Sequence, residues 1–325
     1  MNLRNEKDYG MIPLVSSYSR RKFLQAMIGA GISPMLGCGS ERLSSSEKES
    51  FQNKVSIIDA HTHFWDIRRP EGIPWPPKTD SLLYKTILPE DMQAFAEPLG
   101  VSGVIMIEAA YRNRVEENQW GLNLAKAKPY VVGFVGSLDV FEQDFESTLE
   151  RFSDDTVFSG IRLKSDQIAS VLESSIAIAN LKKLAEKGLM VDLLARSLTH
   201  IESLAAGFPE LRLVVHHMPL SNSPVTTTSE LGKLAIHDNI FLKVSNVVSF
   251  TANQLSEVKP TLDSLWDVFG SNKLLFGSNY PVSDHKAPYE QILNLMKEYV
   301  NKLDEDSREK FFGRNAESVY VKRDT

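Results

Sequence analysis

From residue 55 onward, short apolar runs rich in Val, Ile, Leu and Phe alternate with stretches whose apolar residues recur every three to four positions. The runs predict strands at residues 55–60, 101–109, 130–138, 158–164, 189–195, 212–217, 240–245 and 273–279. The stretches between them predict helices at 89–98, 116–127, 142–152, 174–187, 199–208, 227–237, 253–269 and 287–302. Most strands recur at intervals of roughly 25 to 35 residues, the size of one βα unit. Eight consecutive units predict a (β/α)8 TIM barrel, with any site at the C-terminal ends of the strands. A doubly wound open sheet is the alternative, but no Gly-x-Gly-x-x-Gly follows the first strand. Two further helical stretches, 304–312 and 314–320, would close the barrel.

The residues before the first strand carry no such pattern and divide in two. Ser19-Arg20-Arg21-Lys22-Phe23-Leu24-Gln25 resembles a twin-arginine export signal, and a moderately apolar segment follows, too short to remain as a membrane span. Met35-Leu36-Gly37-Cys38 resembles a lipoprotein cleavage box. Residues 1–37 are therefore expected to be a signal peptide, with a lipid anchor on Cys38. Residues 38–54, polar and rich in Ser and Glu, are expected to be a flexible tether, and residues 55–325 the folded domain. The expected destination is the periplasm or cell envelope.

Composition narrows the partners. The net charge is −6, and cleavage before Cys38 would take it to −9, with no Lys/Arg block inside the barrel region. That excludes a nucleic-acid footprint and leaves a small molecule as the partner. One cysteine excludes a disulfide framework and a multi-thiolate zinc site.

The candidate chemistry lies at strand ends. His61 and His63 are two apart at the end of the first strand, so their imidazoles share a face and can share one metal ion. His216 and His217 close the sixth strand; alternation lets only one face the mouth, and His217 is the expected one. Arg162 and Lys164 share a face on the fourth strand and could bind a carboxylate or polarise a carbonyl. Lys243 and Ser245 repeat the arrangement on the seventh, and Glu108 and Asp192 are candidate buried carboxylates. The long gap from 64 to 100 holds Ile73-Pro74-Trp75-Pro76-Pro77, so Trp75 is either a substrate wall or a buried anchor. No Gly-x-Ser-x-Gly elbow and no Walker A loop is present.

Asp59-Ala60-His61-Thr62-His63-Phe64-Trp65-Asp66, Gly160-Ile161-Arg162, Val191-Asp192-Leu193-Leu194, the His217 strand and Phe276-Gly277-Ser278-Asn279-Tyr280-Pro281-Val282 follow one another in a familiar order. Together they resemble the amidohydrolase-related TIM barrels, in the branch of the sugar-acid and pyrone-dicarboxylate lactonases. The resemblance implies hydrolysis of a lactone or similar small cyclic ester. Some relatives use zinc and others work without metal. It places His61, His63 and His217 as ligands of a divalent metal, zinc first, or as direct polarisers of the carbonyl. From their strand-end and loop positions, Arg162, Lys164, Trp75 and Lys243 are the residues expected to face the substrate. Asn279 stands where most of the family has the aspartate that activates water, and Leu163 replaces a frequent histidine. An amide cannot take a proton near neutral pH, so Asn279 can only orient water. Two alternatives stay open: a non-oxidative decarboxylase on the same scaffold, and a non-catalytic binding lipoprotein.

Overall fold

Eight parallel strands pair in strict chain order and form one sheet. They are β1 (Ile57–Thr62), β2 (Val101–Ile107), β3 (Val131–Gly136), β4 (Phe158–Lys164), β5 (Met190–Leu194), β6 (Arg212–Val215), β7 (Ile240–Val244) and β8 (Leu274–Phe276). The computed structural model describes residues 56–109, 113–194, 198–217, 228–248 and 254–322. The predicted export signal, Cys38 and the tether lie outside the described residues. Closure comes from β1 and β8: Thr62 bridges Tyr280 in parallel, the His63 N–H donates to the Tyr280 carbonyl at 2.8 Å, and the Asn279 N–H donates to the His61 carbonyl at 2.9 Å. The chain is a (β/α)8 barrel, as its apolar periodicity predicts.

The helices lie between successive strands: α1 (Pro89–Ala96), α2 (Arg114–Ala127), α3 (Phe145–Ser153), α4 (Ser165–Val171), α5 (Ser175–Glu186), α6 (Thr199–Gly207), α7 (Thr228–Ala235), α8 (Leu255–Phe269) and α9 (Tyr289–Val300). Their starts have local causes. The Asn113 side chain accepts from the Val115 and Glu116 N–H groups at 3.0 and 3.3 Å, and Ser174 does the same for Ala177 at 3.2 Å. The short α4 was not expected; Gln167 reaches back to accept the Lys164 N–H at 3.1 Å and starts it directly after β4. The tail forms α10 (Glu305–Glu309), a π-turn over Lys310–Arg314 and α11 (Asn315–Tyr320).

Two apolar layers result. Outward residues such as Val104, Phe134, Ile161, Leu193 and Leu213 pack on Leu122, Leu149, Leu181 and Leu204 of the helices. Inward residues Ile58, Ile105, Val135, Met190, Val214 and Leu275 form the barrel's own core, with Val319 and Tyr320 of α11 among them. Each such side chain, fully buried, contributes on the order of 1.5–3 kcal/mol against the entropy of folding.

The long segment after β1 is pinned at its base. Trp65 and Ile87 exchange backbone hydrogen bonds at 2.9 Å, and the Trp65 indole N–H donates to the Lys85 carbonyl at 2.8 Å. Trp75 stacks edge-on against Trp65 with ring centroids 5.1 Å apart. Further out, Asp80 Oδ2 lies 2.9 Å from His285 Nε2, which ties the segment to the turn after β8.

Candidate active site

The first strand brings two histidines together and the eighth strand holds them. Asp59 Oδ1 accepts the N–H of His61 at 3.0 Å and that of Ser278 at 2.9 Å, so one wholly buried carboxylate joins the two strands behind the site. Burial raises the Asp59 pKa to about 6 against the lowering effect of those bonds. The register of β1 against β2 shifts between Asp59 and Thr62, and an irregularity of this kind re-aims the side chains that follow. Gly277 makes room for the result. A Cβ there would lie 2.9 Å from the His61 Cβ, closer than real contacts allow.

His61 is the hub. Its ring centroid lies 5.0 Å from that of His63, 4.7 Å from His216 and 4.8 Å from His217. His61 Nε2 and His63 Nε2 are 3.1 Å apart. His63 Nδ1 donates to the Ile107 carbonyl at 3.1 Å, which leaves its Nε2 with a lone pair facing His61. His61 Nδ1 is buried with no hydrogen-bond partner. Burial, reinforced by neighbouring positive charge, holds His61 and His63 well below the usual imidazole range. His217 is likewise pushed down to about 3, by burial first and then by Arg162, Lys243 and Lys286.

His216 corrects the expectation drawn from alternation. Only one histidine of the pair was expected to face the mouth, yet both meet His61. Strand β6 ends at Val215, and His217 adopts a left-handed φ of 58°, which removes it from the alternating pattern. His217 Nδ1 is then 2.9 Å from Ser245 Oγ. His216 Nε2 lies 2.7 Å from Asp192 Oδ2, so its Nδ1 is the atom left for the cluster.

Left-handed φ values recur at the mouth. Asn246 follows β7 at 57° and Asn279 follows β8 at 65°, so with His217 three consecutive strand ends carry one. Asparagine tolerates this conformation better than most residues, and backbone strain of this sort gathers at functional sites.

Beneath the histidines lies a buried ionic column. Lys243 Nζ donates to Asp192 Oδ2 at 2.6 Å, and the Tyr320 hydroxyl donates to Asp192 Oδ1 at 2.8 Å. Burial pulls the Lys243 pKa down to about 8 despite Asp192, while His216 and Lys243 outweigh burial at Asp192 and hold its carboxyl below the usual range. Lys243 is fully enclosed. It therefore lies beneath the histidines, committed to Asp192.

The other candidates divide. Arg162 is buried and its Nη1 lies 3.4 Å from Glu108 Oε1, with Nε unpartnered. Its charge acts on His63 and His217, so it belongs to the site. Lys164 is the last residue of β4 and, half-buried, opens α4 through its backbone. Both residues thus lie two apart at the end of β4, as expected, with α4 starting directly after them. Trp75 is half-buried and packs edge-on against Trp65. Asn279, itself buried, lies between the Gly277 turn and Tyr280, at the seam with His61.

Neutral imidazoles converging on one volume are a donor set suited to a zinc-like cation. Ligand atoms of His61, His216 and His217 all lie within 4.8 Å of one another, and His63 adjoins through its 3.1 Å contact. The residues fit a divalent metal, with His216 added to the expected set.

Barrel, seam and histidine cluster together define an amidohydrolase-type site. The pattern that describes the amidohydrolase family matches residues 58–321, and the chain belongs to that family. The chain is 28% identical to an L-fucono-1,5-lactonase of Burkholderia ambifaria over 81% of its own length and 94% of that protein's. An amidohydrolase from Burkholderia multivorans with bound zinc superposes at a TM-score of 0.72 and 22% identity, covering 82% of this chain and 99% of that one. A Pseudomonas putida protein described as a 2-pyrone-4,6-dicarboxylic acid hydrolase superposes at 0.65 and 18% identity, covering 82% and 97%.

Proposed function

We propose that the protein hydrolyses a lactone, or a similar small cyclic ester, of a sugar acid or dicarboxylate. The observation that carries this reading is the convergence of His61, His63, His216 and His217 beside Asn279 on the seam of a barrel of this family. The lactonase named above, alike over nearly its whole length, supports the substrate type. In the reaction, water adds to the ester carbonyl, the ring C–O bond breaks, and the ring oxygen leaves as the hydroxyl of a hydroxy acid.

The side chains divide the work. His61, His63, His216 and His217 would hold a divalent metal, with zinc the first choice, and such an ion supplies Lewis acidity toward a carbonyl and toward water. Neutral imidazoles keep their lone pairs for that purpose. Asn279 orients the attacking water through its amide and cannot take the proton. Arg162, steadied by Glu108, supplies positive charge toward the carbonyl or an acidic group. Asp192 fixes the tautomer of His216, as carboxylates behind ligating histidines do.

A panel of aldonolactones and pyrone carboxylates followed by pH-stat, with elemental analysis of the purified protein, tests the proposal. Ring opening on the panel supports it. Release of CO2 from an aromatic or enoic acid without ring opening would replace it with decarboxylation, and ligand-induced melting shifts without turnover would replace it with a binding role.

We also propose, from Arg20-Arg21 and Cys38, that the protein is exported and lipid-anchored. Changing both arginines to lysine should retain the precursor in the cytoplasm. Normal envelope levels of the doubly changed protein would refute the assignment.

A further inference from the structure

The cations around the site differ in what neutralises them. Arg162 is paired with Glu108 at 3.4 Å and Lys243 with Asp192 at 2.6 Å. Lys286 is different. Its Nζ donates to the neutral Asn246 Oδ1 at 2.6 Å, and among the described residues no carboxylate lies within ion-pair distance of it. It is half-buried, and its surroundings disfavour the charged form. A partly desolvated ammonium with only an amide for company gains most from an arriving anion.

Its position follows from the backbone. The Ser283 N–H donates to the Asn279 carbonyl at 2.9 Å, and the Lys286 N–H donates to the Ser283 carbonyl at 2.8 Å. Lys286 thus hangs from Asn279 by one short turn. Its partner Asn246 directly follows Ser245, whose Oγ is 2.9 Å from His217 Nδ1, and the Lys286 charge acts on His217. The lysine therefore borders the histidine cluster at the ends of β7 and β8, across from Arg162 on β4.

We propose that Lys286 receives a free carboxylate of the substrate, so that the preferred lactone carries an acidic group beside the ring ester. The inference rests on the lactone-hydrolase reading and makes its substrate class specific. Asn246 holds the lysine in place, and an amide acceptor yields to a carboxylate more readily than a buried acid would.

The test uses the full chain and two stable lactam analogues, a 2-pyridone carboxylate and its carboxamide, titrated by calorimetry, with turnover of the matching 2-pyrone pair measured in parallel. The wild-type protein should bind the acid at least tenfold more tightly than the amide. Lys286→Met should reduce that ratio tenfold or more, and Lys286→Arg should keep most of it. A wild-type ratio near one, or a Lys286→Met ratio equal to the wild type's, overturns the proposal. An intact acid preference with no turnover of either pyrone or of any lactone on the panel above sinks the hydrolase reading and leaves the role of Lys286 standing. Turnover of both pyrones with no acid preference does the reverse.

Discussion

Lys243 Nζ lies 2.6 Å from Asp192 Oδ2 with both side chains wholly enclosed in the barrel, so each charge depends on the other. Removing one partner of such a pair leaves an uncompensated buried charge. Lys243→Met should cost about 3–5 kcal/mol of stability. Pairing it with Asp192→Asn should recover much of that loss. Urea denaturation of the two single variants and the double variant measures the coupling, and additive effects would refute it.

The four histidines set an acid limit. All are held neutral in the folded protein, with pKa values below the ordinary 6.5 and that of His217 at about 3. Above pH 6.5 neither state binds a proton at these rings. As the pH falls below 6.5 the unfolded chain takes protons that the folded one refuses, so stability falls. Asp59, at about 6 when folded against 3.8 unfolded, works the other way, gaining stability as the pH falls between those values. One carboxyl does not offset four imidazoles. Melting temperature in the presence of a chelator should drop steadily from pH 6.5 to 4.5, and His217→Gln should flatten the slope.

Metal binding should fail with the hub. His61→Asn should lose bound metal and turnover together, and His216→Gln should lower metal content as well, since three or four imidazoles share the ion. Dialysis against a chelator should lower the melting temperature, and added zinc should restore it. Metal content from elemental analysis that is unchanged in His61→Asn would remove this centre from the mechanism.

Asn279→Asp restores the acid that most of the family carries and places it at the seam with His61. It should tighten zinc binding, and it should leave turnover intact or raise it. Activity appearing only in the variant, on a panel where the wild-type protein has none, would favour the binding role.

The strands were legible because inner and outer layers both need apolar side chains, and helix periodicity marked the elements between them. His61 and His63 were legible for a local reason: two residues apart at a strand end stay together through a bulge. His216 was lost because alternation assumes extended backbone, and the left-handed φ at His217 breaks it. Lys164 was legible as the end of β4, but nothing in that strand announces that Gln167 starts a helix directly after it. The commitment of Lys243 to Asp192 could not be read, since the partners are 51 residues apart and meet only through strand pairing. Lys286, in a loop with no periodicity, carried no signal beyond its charge.

Tyr320 belongs to the last described helix, yet its hydroxyl reaches Asp192, which holds His216. Helix α11 thus completes the floor under histidines contributed by β1 and the end of β6. A chain truncated before α11 keeps every candidate histidine and loses the hydroxyl that steadies Asp192, so the ligands remain without the scaffold that orders them.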